Sequence, residues 1–145
     1  MATRRDKEIE ELLDEAQQAR RCAVATDRLL REALDRRAGT SLVRPRPRLY
    51  ARPSYWTCLP RRAREEHILR GLATLHPGWV FCHASAALLH GLPISYRQLE
   101  RAHILAPDAH ASNSIIIRHR NAGALSRATR VSGTLATSLE DTIVD

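Results

Sequence analysis

The sequence predicts an α+β fold in two parts. Helices and a basic β-hairpin come first, over residues 1–59, and a small α+β domain with two or three short strands follows, over 60–145. Three observations carry this. Apolar residues recur at helical spacing ahead of Leu42. The stretch "LVRPRPRLYARPSYW", Leu42 to Trp56, sets two β-prone dipeptides around a proline-rich centre. Beyond Gly71, short apolar runs alternate with turn residues. With 43% hydrophobic residues in 145, a buried core is available, and with 4% aromatics it is mostly aliphatic.

The first helix is expected over Asp6 to Arg20. Ile9, Leu12, Leu13, Ala16 and Ala19 share one face, and acids crowd its start, as the helix dipole favours. Its opposite face is acidic, so it reads as a support. A second helix is expected from Thr26, as N-cap, to Ala38, with Gly39 as the stop. Leu29, Leu30, Ala33 and Leu34 form its apolar stripe. Arg28–Glu32 and Arg31–Asp35 stand four apart and can neutralise each other instead of meeting a ligand.

Leu42–Val43 and Leu49–Tyr50 then read as strands, with Pro45 and Pro47 between them favouring a connection. Helix, helix, hairpin with a basic tip is the order of a winged helix-turn-helix. Such a domain normally has three helices and only two precede the hairpin. One is abbreviated, or the helix after the wing completes the bundle. The rival is an extended polyproline ligand, against which "LYARPSYW" supplies apolar anchors.

The next helix begins at Pro60, carries Ile68, Leu72 and Leu75, and stops at "HPGW". "WVFC" is a short buried strand or turn. "HASAALLHGLP" is a short helix closed by Gly91 and Pro93. "RAHILA" and "SIIIRHR" read as strands joined by a polar loop, Pro107 to Asn113, and "RVSGTLAT" as a third, broken at Gly133. "TSLEDTIVD" opens with a capping box, Thr137 with Glu140. That helix stops after about two turns, too short to stand by itself, so it is expected to be the start of further chain and to be poorly anchored.

Charge narrows the function. The net charge is +7, and residues 1–70 hold 17 bases against 11 acids. From Arg36 to Arg64 there are nine arginines and no acid. A single-sign run beside a folded segment points to a polyanion. No apolar run is long enough to span a bilayer and no apolar signal core opens the chain, so a cytoplasmic protein without membrane contact is expected. Cys22, Cys58 and Cys82 are odd in number and widely spaced, which fits reduced thiols. Cys58, His67, Cys82 and His83 match no zinc-finger spacing, so neither a metal nor another cofactor is expected. His83 and His90 read as structural residues at helix ends. No nucleophile–base pair or phosphate loop supports an enzyme.

Several stretches together resemble the AbiEi-type antitoxin-like regulators of actinobacteria. These are "LVRPRPRLYARPSYW", "HILRGLATLHPGWVFCHASAALLHGL", "AHILAP" and "VSGTLATSLEDTIVD". Within them Ser85–Ala86–Ala87, His90–Gly91–Leu92, Ala102–His103–Ile104, Gly133, Thr137–Ser138 and Thr142–Asp145 match in order. Leu49 departs from the family's wing, and Glu140–Asp141 from its closing Ala-Arg. The resemblance covers Leu42 onward. It implies a DNA-binding transcriptional regulator, an antitoxin-like autorepressor, that also neutralises a nucleotidyltransferase-like toxin.

The expected partner is therefore double-stranded DNA. Arg44, Arg46 and Arg48 would reach phosphates or the minor groove from the wing. Arg28 and Arg31 would work from the second helix, and Arg36, Arg37 and Arg52 would hold the backbone. The alternative is a module that neutralises a toxin or other acidic partner, with DNA binding incidental.

Overall fold

A computed structural model describes residues 3–106 and 112–145. It is α+β, with seven α-helices and two sheets, of three and five strands, among the described residues. Two compact units divide the chain after Leu75.

In the first unit, α1 (Arg4–Gln18) starts two residues before the expected position. Thr3 caps it in a reciprocal box with Asp6. Ile9, Leu13 and Ala16 are buried as read, whereas Ala19 lies at the exposed C-cap. A two-residue strand, β1 (Ala23–Val24), follows and was not foreseen. Helix α2 (Arg28–Arg37) is capped by Asp27, whose carboxylate accepts from the Leu30 amide at 2.8 Å, not by Thr26. Asp27 competes successfully because its carboxylate also suits the positive helix end. Gly39 ends the segment at a φ of +85°, a region glycine occupies without a Cβ clash. Leu30, Ala33 and Leu34 are buried, but Leu29 is 64% exposed and leaves the expected stripe.

The hairpin forms from β2 (Val43–Arg46) and β3 (Leu49–Ala51). The strand order is β1-β3-β2, antiparallel throughout. Strand β2 is outermost, so Pro45 sits in a strand without costing an interior ladder bond, and the register slips between Val43 and Arg46. The turn is Pro47–Arg48. Pro47 presets its φ, and Arg48 takes a φ of +70°, as the third residue of a type II turn does. A short helix, α3 (Pro53–Thr57), occupies the stretch expected only to anchor the hairpin.

Helix α4 (Arg61–Leu75) was assigned by sequence to the second domain but belongs to the first unit. The reason is a close approach. Gly71 lies where an added Cβ would meet Leu49 Cδ2 at 2.9 Å and Cys22 Cβ at 3.1 Å. This helix therefore packs on β1 and β3, while α1, α2 and the small sheet share a core that includes Leu13, Leu34 and Tyr50.

The second unit is built on a five-stranded sheet of order β6-β5-β4-β8-β7. Its strands are β4 (Val80–Phe81), β5 (Ala102–Leu105), β6 (Ile116–His119), β7 (Thr129–Val131) and β8 (Thr134–Ala136). The two strands read from "RAHILA" and "SIIIRHR" are present, but they pair in parallel. Of the loop expected between them, Pro107–Ala111 lie outside the described residues. "RVSGTLAT" is not one broken strand but a hairpin. Ser132 and Gly133 both have positive φ, 52° and 80°, the requirement of a type I′ turn.

Helix α5 (His83–Leu89) ends in a Schellman motif: Leu92 N–H donates to Ala87 O, Gly91 N–H to Leu88 O, and Gly91 has a φ of +81°. A 3₁₀ turn (Tyr96–Leu99) and α6 (Ala122–Ser126) complete the surroundings. Helix α7 (Leu139–Val144) is capped by Ser138 rather than Thr137. Thr137 is fully buried and shares a 2.7 Å hydrogen bond with Thr142. Polar contacts anchor α7: Arg127 makes two 2.9 Å bonds to Asp141. Its Leu139, Ile143 and Val144 side chains remain exposed. No helix among the described residues is long and apolar enough to cross a membrane.

Candidate functional site

The eight arginines expected to contact DNA separate into bound and unbound groups. Arg52 is tied to α1: its guanidinium bonds Glu10, Asp14 at 2.8 Å and Gln17 at 2.9 Å, and its side chain is 22% exposed. Arg37 pairs with Asp6 and donates to Ala33 O at 3.1 Å. These two hold the first helix in place and are not free clamps. Sequence distance hid this, because the neutralising acids come from α1, far outside the acid-free run.

Arg46 is also misplaced in the sequence reading. It is not the hairpin tip but the last residue of β2, opposite Leu49, and its guanidinium turns back to Pro45 O at 2.8 Å. Arg44 is half exposed and lies 3.4 Å from Asp35. Arg28 pairs with Glu32 at 3.0 Å, as expected, on an open surface.

The second expected pair does not form. Asp35 accepts from the Tyr50 hydroxyl and from Arg44 instead, so Arg31 is left without an acid partner among the described residues. Arg36 and Arg48 likewise have none, and both are exposed. Arg28, Arg31 and Arg48 converge on one hollow of about 200 Å³, lined also by Ala25, Thr26 and Asp27. Helix α2 and the hairpin turn thus bring three cations to one patch, with Asp27 beside them.

In the second unit the residues matched by the family resemblance serve architecture. The buried Ser85 hydroxyl accepts from the His103 amide at 2.9 Å. The His90 ring donates through Nε2 to Thr137 O at 2.8 Å, which is the structural role expected of it. Thr142 donates to Ser138 O at 2.7 Å.

His83 lies at a helix end, as expected, and also joins a cluster that was not foreseen. It stands at the start of α5 beside Cys82, and β6 brings His119 against it, with ring centroids 3.6 Å apart. His103 from β5 lies next to both, its Nδ1 2.9 Å from His119 Nε2. His103 Nε2 faces Gln98 O at 2.9 Å. That carbonyl accepts only, so His103 Nε2 carries the proton. His103 Nδ1 is then an acceptor, and His119 Nε2 must donate to it. Asp145 closes the group: its carboxylate accepts from the His83 amide at 2.9 Å and lies 4.0 Å from the His83 ring.

Burial, then the neighbouring His83 and His103, hold His119 down to about 4. Burial also lowers His103, and burial and then Asp145 raise the Cys82 thiol. A cavity of about 500 Å³ opens beside the cluster, lined by His83, His103, Asp145, Arg97 and Arg101 among others. Sequence reading missed this cluster because its members come from four separate elements and follow no ligand spacing. The only signal was histidine at one face position in each of two adjacent strands, His103 and His119.

Of the earlier zinc set, Cys58 and His67 belong to the first unit and Cys82 and His83 to the second. His67 is occupied by Tyr55 and Ala63 O. Comparison with protein-family models, with curated proteins and with solved structures finds no match to this chain.

Proposed function

We propose that the protein is a duplex-DNA-binding transcriptional regulator. Its first unit binds through α2 and the β2–β3 hairpin acting as a wing. The observation that carries this is the convergence of Arg28, Arg31 and Arg48 on one exposed hollow. Arg36 extends the basic surface along α2. Arg48 holds a backbone conformation that disfavours side chains, and such positions cluster where a ligand is met. The order helix, strand, helix, hairpin, with β1 pairing β3, supports a winged helix-turn-helix in which α4 supplies the missing third helix. The antitoxin-like autorepressor role, and a nucleotidyltransferase-like toxin as partner, rest on the family resemblance alone. In this reading the protein is a binding protein and not an enzyme.

A second reading has one observation in its favour. Leu29 on α2 is 64% exposed and lines a hollow with Arg4, Arg5 and Arg28, and with Glu8 and Asp27. An exposed leucine on this basic unit suits a protein partner such as a toxin better than a phosphate backbone.

The test is fluorescence anisotropy on labelled duplex from upstream of the coding sequence and on a scrambled duplex, at several salt concentrations. With three to four phosphates neutralised, the log–log salt slope is about −3 to −4. Arg31→Ala with Arg48→Ala flattens it by about 1 to 2, while Arg52→Ala leaves it unchanged. No binding at low salt, or a double variant that binds as wild type does, refutes the proposal. Equal binding to both duplexes supports the protein-partner reading.

A further inference from the structure

We propose that Cys82, His83 and His119 form a site for a divalent transition-metal ion, zinc being the best match to the donor set. Cys82 Sγ and one ring nitrogen of each histidine lie within 4.8 Å of one another. Around tetrahedral zinc, ligand atoms sit roughly 3.3–3.8 Å apart, so rotations of the two exposed-edge imidazoles close the site without moving the sheet. A thiolate with two imidazoles selects a soft or borderline ion over magnesium or calcium. Cys82 binds as the thiolate, and its proton passes to solvent.

Three features beyond proximity favour an ion. The first is a relay that fixes a ligand's tautomer. Gln98 O holds the proton on His103 Nε2, and His103 Nδ1 in turn holds the proton on His119 Nε2. Nδ1 of His119 is left with a free lone pair. Metal-bound histidines commonly carry such an outer hydrogen bond. The second is backbone placement. Cys82 is held by its backbone N–H, which donates to His103 O at 3.0 Å, and His83 takes a φ of +48° and stacks on His119 of β6. A strained histidine at the mouth of a cluster is a costly arrangement for mere stacking. The third is charge: Asp145 supplies a carboxylate beside His83, which offsets the cation.

Three protein ligands leave a fourth position. His83 and Asp145 both line the 500 Å³ cavity, which gives water or a ligand access to the His83 side of the cluster. Closed structural zinc sites use four protein ligands, whereas open ones exchange the fourth.

The experiment is dialysis of the full chain against cobalt(II), followed by metal analysis and absorption spectroscopy. One cobalt per chain is expected, with a thiolate-to-cobalt charge-transfer band in the near ultraviolet and intense visible bands of a tetrahedral ion. Cys82→Ser abolishes the charge-transfer band, whereas Cys58→Ser keeps it. Because Cys82 is buried, His119→Gln serves as a second variant and lowers zinc affinity by 10-fold or more, with circular dichroism confirming its fold. Wild type that takes up no stoichiometric cobalt overturns the proposal. So does a charge-transfer band that survives Cys82→Ser or vanishes in Cys58→Ser, or a folded His119→Gln that binds zinc as wild type does.

Discussion

The Tyr50 hydroxyl donates to the Asp35 carboxylate, joining the central strand of the small sheet to the last turn of α2. Tyr50 is fully buried, and burial together with Asp35 raises its phenol above the ordinary range. The bond fixes α2 against the hairpin and removes from Arg31 the acid that local spacing would have given it. Tyr50→Phe is therefore expected to destabilise the first unit by about 1–2 kcal/mol. Chemical denaturation measures this. A change below about 0.3 kcal/mol would show that the bond contributes nothing net.

Gly71 is a second point at which the first unit is tightly specified. A methyl group there meets Leu49 and Cys22 side chains too closely for both to stay. Gly71→Ala is expected to cost about 1–3 kcal/mol despite the higher helix propensity of alanine. Gly78→Ala, which meets nothing within 4 Å, is the control and stays within about 0.5 kcal/mol. Thermal melts of the two variants decide it, and equal melting temperatures would argue against the packing of α4 on β1 and β3.

His67 makes stability pH-dependent with a definite sign. It is 1% exposed, donates through Nδ1 to Ala63 O at 2.6 Å, and accepts from Tyr55 through Nε2. Protonation would cost that second bond. Burial, with a further contribution from Arg20 and Arg70, lowers its pKa, while Ala63 O and Glu66 oppose the shift. The unfolded chain thus takes up the proton first as pH falls. The stabilisation present above about pH 6.5 is lost as pH falls from there toward the folded value. Glu65, raised chiefly by burial, acts in the opposite direction, since its stabilising proton is lost as pH rises from about 4.5. The measurement is accordingly a difference: the melting temperature of wild type should fall more than that of His67→Gln between about pH 7 and pH 5. Parallel curves would exclude His67 as the sensor.

Arg52 is expected to matter for folding and not for binding. Its contacts to Glu10, Asp14 and Gln17 join the start of α3 to α1, and the guanidinium is mostly covered. Arg52→Ala should lower stability by about 0.5–1.5 kcal/mol, more than an isolated surface pair, because three groups share one cation. Denaturant titration checks this, and the loss should shrink in high salt.

Elements with strong local signals were legible in the sequence. The apolar face of α1, the Gly39 stop, the Pro60 start of α4 and the Gly91 close of α5 all follow from spacing and backbone preference. Two-residue β1 carries no periodicity and only its pairing with β3 defines it, whereas β4 was legible in "WVFC" as a strand or turn and its pairing decides for the strand. Whether β5 and β6 run parallel was likewise unreadable, because register and direction depend on the sheet as a whole. Charge was half legible. The arginine-rich run was plain, but Asp6, Glu10 and Asp14 reach it only after folding. The histidine cluster was illegible because Cys82, His103 and His119 become neighbours only through the sheet order β6-β5-β4.

The rims of the small sheet have a consequence for the protein at high concentration. On one side β1 offers only two residues. On the other, β2 carries Pro45, which has no N–H to donate, and a slipped register that breaks the ladder. Neither rim is a template on which a second chain could add a long regular strand. Edge-to-edge polymerisation is the hazard that crowding brings to a protein with open sheet rims. Of the two prolines in the basic hairpin, Pro47 shapes the turn and Pro45 protects the rim of the sheet against aggregation.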